Sequence, residues 1–251
     1  MLKFSKYFFR LYCLISFKKL NHTHFGTNYG GWKIPDDRID DLDILLSAGI
    51  GLDMSFEIDL ANSVPSLTVQ MFDPTPLSVE HVSNYFKNSQ TNTPTIINDG
   101  HKRHHLDSEN EHYKILPKEK LENFTFHNLG WSKNPEKFKF YLPEGENMIS
   151  YSTEKKTDNY LICECKPVSD LLPQLQIQIS NKSIIKMDIE GSEYGVIDDL
   201  RKNKLLPSVL LFEIHVFNWK NFLQLIKTTY TLLFSGYRCF YMDGDNYGFV
   251  K

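Results

Sequence analysis

The sequence predicts an α/β fold: a mostly parallel sheet with helices on both faces and an antiparallel hairpin at its C-terminal edge. Three observations point there. Short apolar runs of strand length alternate with helical segments along most of the chain. A glycine turn, Gly49-Ile50-Gly51, follows the first such run and opens a helix. A last pair of runs, 237–242 and 247–250, is joined by Asp243-Gly244-Asp245-Asn246, which reads as a hairpin.

The elements follow in order. Residues 21–43 mix Gly, Asn and Asp around YGGWKIP and read as a loop. Strand one is 43–48 and its helix 54–61; strand two is 67–72, stopped by Pro74 and Pro76, with a helix over 78–86. Residues 88–120 are polar and read as a surface excursion, and His101, His104 and His105 within it lack a carboxylate at metal-ligand spacing. A third strand is expected at 124–129, additional short ones at 138–142 and 160–165 (the latter at a sheet edge), and a short helix from 168 to 172. The apolar runs 184–189 and 209–215 read as buried strands, followed by helices at 192–202 and 222–235.

In a parallel sheet of this kind ligands bind at the carboxyl ends of the strands. Glycine lets the backbone at 49–51 turn sharply and approach a ligand, whose charge the next helix N-terminus then faces. Asp73 ends strand two, 22 residues after Gly51, where a carboxylate can accept ribose hydroxyls. Met54 stands where the dinucleotide fingerprint requires a third small residue, so a nucleoside cofactor without pyrophosphate fits better.

Two further strand ends carry chemistry. Asp188 closes one apolar strand, with Glu190, Gly191 and Glu193 directly behind it. Carboxylates this close raise one another's pKa, so one can act as a base; equally, they can hold a divalent cation. Glu193 also reads as a first-turn acid complementing a helix dipole. Glu213 and His215 end the next strand on one face, and histidine suits proton transfer near neutral pH.

At 251 residues, with 41% hydrophobic and 24% charged residues, the chain can bury one full core. A net charge of -3 gives no basic field, so no nucleic-acid partner is expected. Cys13, Cys163, Cys165 and Cys239 lack zinc spacing and read as reduced thiols of a cytoplasmic protein. Residues 1–24 form a separate N-terminal segment ahead of a domain over 25–251. The segment is apolar but carries Lys3, Lys6, Arg10, Lys18 and Lys19, and its longest uncharged stretch, 11–17, is too short to span a bilayer. It reads as an amphipathic helix packed on the domain; peripheral membrane contact through residues 1–20 and a signal anchor are the alternatives.

The combination of YGGWKIP, SAGIGLDMSFE, FDPTP, IIKMDIEGSEYGVI and FEIH resembles the FkbM-type branch of S-adenosylmethionine-dependent methyltransferases. The resemblance runs from about residue 25 to the C-terminus, and the polar 88–120 insertion departs from it. It implies a Rossmann-like class I methyltransferase fold with a seven-stranded sheet. It also implies S-adenosylmethionine at Gly49 and Gly51, with Asp73 on the ribose, Asn128 near the adenine and Asp188 near the reactive end. The implied reaction is methylation of oxygen on a small molecule or glycan, with Asp188, His215 and Glu190 as catalytic candidates and metal dependence open. A nicotinamide-dependent oxidoreductase and a non-catalytic cofactor-binding module are the competing readings.

Overall fold

The computed structural model describes residues 2–97, 112–141, 158–215 and 219–251. The chain opens with α1 (Leu2–Ile15), then β1 (His22–Phe25), β2 (Trp32–Pro35) and the single turn α2 (Asp36–Ile39). β3 (Ile44–Ala48), α3 (Ser55–Ser63), β4 (Thr68–Phe72), α4 (Pro76–Gln90), α5 (Lys118–Leu121) and β5 (Phe124–His127) follow. Next come β6 (Gly130–Trp131), β7 (Glu136–Tyr141), β8 (Tyr160–Lys166), α6 (Val168–Gln174) and β9 (Ser183–Met187). The chain closes with α7 (Glu193–Lys202), β10 (Val209–Glu213), α8 (Trp219–Phe234), β11 (Arg238–Asp243) and β12 (Asn246–Val250).

The main sheet has seven strands in the order β11-β12-β10-β9-β3-β4-β5. β10, β9, β3, β4 and β5 run parallel, and β12 and β11 add the expected antiparallel hairpin. Successive strand residues face opposite layers of helices. Leu45, Ile184 and Leu211 enter one apolar cluster with Phe56 of α3 and Tyr85 of α4. Their neighbours Leu46, Ile185 and Leu210 enter the other, with Val196 of α7 and Leu232 of α8. A strand buried on both faces has no polar side to write into the sequence, which is why these runs are continuously apolar.

The sheet brings four strand ends together: 49–51 after β3, 73–75 after β4, 188–192 after β9, and 213–215 at β10. The order reverses around β3, whose neighbours are β9 and β4, so the crevice of a doubly wound sheet opens there.

Several elements differ from the sequence reading. Residues 22–35 form a β-hairpin rather than a loop, with His22–Phe25 paired to Trp32–Pro35. β8 is not an edge of the main sheet; it is the centre of a separate sheet, β6-β8-β7. β10 ends at Glu213, leaving His215 beyond the strand. The 88–120 stretch is not wholly surface: Tyr113 and Leu116 return to the core, each under 5% exposed. His101, His104 and His105, and the last residue of the run expected at 138–142, lie outside the described residues.

α1 packs on the domain. Phe9 is fully buried in the second cluster, its ring 5.0 Å from that of Tyr247 in an edge-on contact. Arg10 donates hydrogen bonds to the Tyr247 hydroxyl at 3.2 Å and to the Gly244 carbonyl at 2.7 Å. No described helix is long and apolar enough to cross a membrane, and all four cysteines are free and buried. Phe9→Ala should destabilise the whole chain by about 3–5 kcal/mol in urea melts. A loss under about 1 kcal/mol would mean that α1 is not part of the core.

Candidate functional site

A cavity of about 350 Å³ lies over the carboxyl ends of β3, β4, β9 and β10. Its size suits a small-molecule ligand. Its floor is the glycine turn. Gly49 and Gly51 have φ of +77° and +58°, in the left-handed region. Gly49 also lies so close to β9 that a Cβ there would collide with the backbone carbonyl of Asp188. The turn therefore requires glycine at 49 both for its dihedral and for its neighbour.

Two side chains fix the turn. Asp73 Oδ2 accepts the backbone N–H groups of Ile50 and Gly51, both at 3.0 Å. Its Oδ1 accepts the N–H and hydroxyl of Thr75 at 2.9 and 2.6 Å. These four bonds use the acceptor capacity of the carboxylate. Lys186, only 5% exposed, reaches from β9 and donates to the Gly49 carbonyl at 2.6 Å. Beneath it Glu57 of α3 is 1% exposed and accepts a hydrogen bond from Ser47 of β3. Burial raises the pKa of Glu57, and the charge of Lys186 is the leading effect opposing that rise.

The wall on the α3 side is the hairpin turn between β1 and β2. Asp53 Oδ2 accepts the Thr27 hydroxyl at 2.6 Å, and Asp53 Oδ1 accepts Ser55 N–H at 2.9 Å. Thr27 N–H in turn donates to the Ser55 hydroxyl at 2.8 Å. This holds Tyr29, Gly30 and Trp32 along the cavity. Met54, the residue that breaks the dinucleotide pattern, is fully buried, and its N–H donates to the Tyr113 hydroxyl at 3.0 Å.

The opposite wall is acidic. Asp188, Glu213 and His215 each present one ligand-type atom, all within 4.8 Å of one another. His215 Nε2 lies 3.7 Å from Glu213 Oε1 and 3.7 Å from Glu190 Oε2. Its Nδ1 lies 3.1 Å from Glu193 Oε1. Glu193 is fully buried and also accepts the N–H groups of Ile189 and Gly191, both at 3.0 Å, tying down the loop that carries Glu190. Burial, then the charge of Asp188, pushes Glu213 up to about 8. Burial works against a charge on His215, but the hydrogen bond and charge of Glu193, with Glu213 and Asp188, override it and raise the ring to about 10.

Of the residues singled out in the sequence, Gly49, Gly51, Asp73, Asp188 and Glu190 line this cavity, and His215 stands beside Glu190 at its acidic wall. Asn128 does not: it is exposed, and it is its neighbour His127 that stacks on Phe72 of the cavity lining, with ring centroids 4.5 Å apart. Glu193 is a clamp of the loop more than a dipole partner. Sequence reasoning passed over Lys186, Asp53 and Tyr29. Lys186 had a legible signal, a lone cation inside the apolar run IIKM.

A glycine turn and an acid at the ends of adjacent parallel strands, in a seven-stranded sheet of this order, define a Rossmann-like fold built to hold a nucleoside cofactor. Residues 55–239 match the Methyltransferase FkbM domain model, most of the chain, and the protein belongs to that family. It is an S-adenosylmethionine-dependent methyltransferase. No curated protein matches the chain. Among solved structures it is similar to a precorrin-6y C5,15-methyltransferase from Geobacter metallireducens GS-15, at 12% identity over 84% of this chain and 79% of that one, with a TM-score of 0.38. A putative caffeoyl-CoA O-methyltransferase from Staphylococcus aureus gives 7%, 84%, 77% and 0.40. TYW2 of M. jannaschii in complex with AdoMet gives 10%, 93%, 85% and 0.33.

Lys186→Met should destabilise the fold by about 1–3 kcal/mol, because it removes the buried donor to the Gly49 carbonyl and the charge that opposes the raised pKa of Glu57. Adding Glu57→Gln should restore a substantial part of that loss in a double-mutant cycle; additive losses would show that the two do not interact.

Proposed function

We propose that this protein methylates a hydroxyl oxygen on a small molecule or glycan. The observation that carries the reading is the acidic pair Asp188 and Glu213, set beside His215 along one wall of the cavity whose floor is the glycine turn. When bound, S-adenosylmethionine supplies an electrophilic methyl group on a sulfonium. The cradle fits such a donor: a turn that lies against β9 only because residue 49 lacks a Cβ, and above it a cavity of about 350 Å³.

In this reading the Gly49–Gly51 turn and Asp53 hold the amino-acid end, and Asp73 holds the ribose. Asp73 is already saturated by Ile50, Gly51 and Thr75, so ribose binding needs one bond to yield. The Thr75 hydroxyl is the donor that can rotate away without moving backbone. The Asp188–Glu213 pair takes the acceptor's proton as its oxygen bonds to the methyl carbon and the carbon–sulfur bond breaks, leaving a neutral thioether. A protonated His215 holds the pair's charge in place, and Glu190 closes the acceptor side. Alignment of oxygen and methyl does the rest.

A second reading differs in how the hydroxyl is activated. With Nδ1 occupied by Glu193, His215 turns Nε2 toward Asp188 and Glu213, an arrangement that suits a divalent cation. Chelator treatment separates the two: activity that survives exhaustive EDTA supports the proton-acceptor pair, and loss restored by Mg²⁺ or Mn²⁺ supports the cation. Calorimetry should show S-adenosylmethionine binding that Asp73→Ala weakens about tenfold or more; unchanged affinity in that variant would remove Asp73 from the donor site.

With an acceptor in hand, kcat/KM should trace a bell. The acid limb rises as Glu213 loses its proton near pH 8, and the alkaline limb falls as His215 loses its proton near pH 10. Asp188→Asn removes the like charge and should shift the acid limb to lower pH. Glu213→Gln should cost about 100-fold or more in kcat with donor affinity kept. An unchanged rate in that variant would remove Glu213 from the chemistry.

A further inference from the structure

The face of the protein formed by α1 and α8 is unlike the rest of its surface. Each helix is anchored inward, α1 through Phe9 and Cys13 and α8 through Leu225 and Leu232, all in the same apolar cluster. On the opposite side of each helix, large apolar side chains stand in solvent. Leu14 and Ile15 of α1 are 61% and 77% exposed, and Tyr230 and Phe234 of α8 are 55% and 83% exposed. The two helices pack directly on one another, which brings their exposed apolar residues to one side of the protein. Exposed apolar side chains gathered in this way mark a contact face.

Charge says which partner it contacts. α1 and α8 carry Lys3, Lys6, Arg10, Lys220 and Lys227 and no Asp or Glu, and of these Lys227 pairs with Asp198 of α7 at 2.9 Å. Lys18 and Lys19, at the end of α1, are exposed and form no ion pair among the described residues. Two copies of this face brought together would oppose like charges, which disfavours self-association. A negatively charged lipid surface is complementary to both its apolar and its basic character: aromatic and aliphatic side chains enter the acyl boundary while lysines reach the headgroups. Neither helix is built to cross.

We propose that α1 and α8 together form a docking face for an anionic membrane, on which the enzyme lies peripherally. The residues involved are separate from the cavity, so membrane binding is read without any assay of methyl transfer. The test is flotation of the full chain with vesicles of phosphatidylcholine alone or with about one third phosphatidylserine. Binding should be roughly tenfold or more stronger to the anionic vesicles and should weaken as salt rises. Ile15→Glu and Phe234→Glu change exposed positions; each should reduce binding with the thermal melt unchanged, and Lys18→Glu with Lys19→Glu should abolish the anionic preference. Equal or absent binding to both vesicle types overturns the proposal, as does concentration-dependent dimerisation abolished by the same variants. Binding that survives Phe234→Glu removes α8 and overturns the composite face.

Discussion

The site depends on the close approach of β3 and β9 at their carboxyl ends. Gly49 lies against the carbonyl of Asp188, and no residue with a Cβ fits there. That contact places the glycine turn and the acidic strand end side by side. Lys186 and Asp73 then hold the turn from its two flanks, one through the Gly49 carbonyl and the other through the N–H groups of Ile50 and Gly51. A turn with this many fixed backbone groups is preorganised, so little of its binding energy is lost to ordering.

The same crowding sets the electrostatics. Asp188 and Glu213 end neighbouring parallel regions of one sheet, and burial with mutual repulsion lifts Glu213 into the range where a base works near neutral pH. Glu193 is spent on the opposite task. Fully buried, it ties the 189–191 backbone and His215 into a single unit, so the acidic wall keeps its shape without a ligand. Glu193 is structural, whereas Asp188 and Glu213 face the cavity, although the sequence writes all of them in similar company.

The centre of the sheet was legible because β3, β9 and β10 are buried on both faces and therefore appear as largely apolar runs. The glycine turn and Asp73 were legible because spacing alone sets their relation across β3 and β4. The hairpin at 22–35 was not: its strands are four residues long, the first mostly polar and the second ending in proline, and they are joined by a loop held through Thr27 and Asp53, a bond 26 residues apart in sequence. Tyr113 was hidden in a polar stretch whose return to the core depends on partners at 52, 54 and 81. β8 looked like a sheet edge because pairing between distant strands leaves no local mark. Asn128 was placed by likeness rather than by its own environment, and the strand end turns it to solvent.

The central claim is that donor and acidic wall meet across Gly49. A structure with S-adenosylhomocysteine bound tests it most directly. The account predicts the sulfur over the Gly49–Gly51 turn, the ribose on Asp73 with the Thr75 hydroxyl released, and open space between the sulfur and Glu213. A ligand bound elsewhere, or a sulfur pointing away from Asp188 and Glu213, would contradict it.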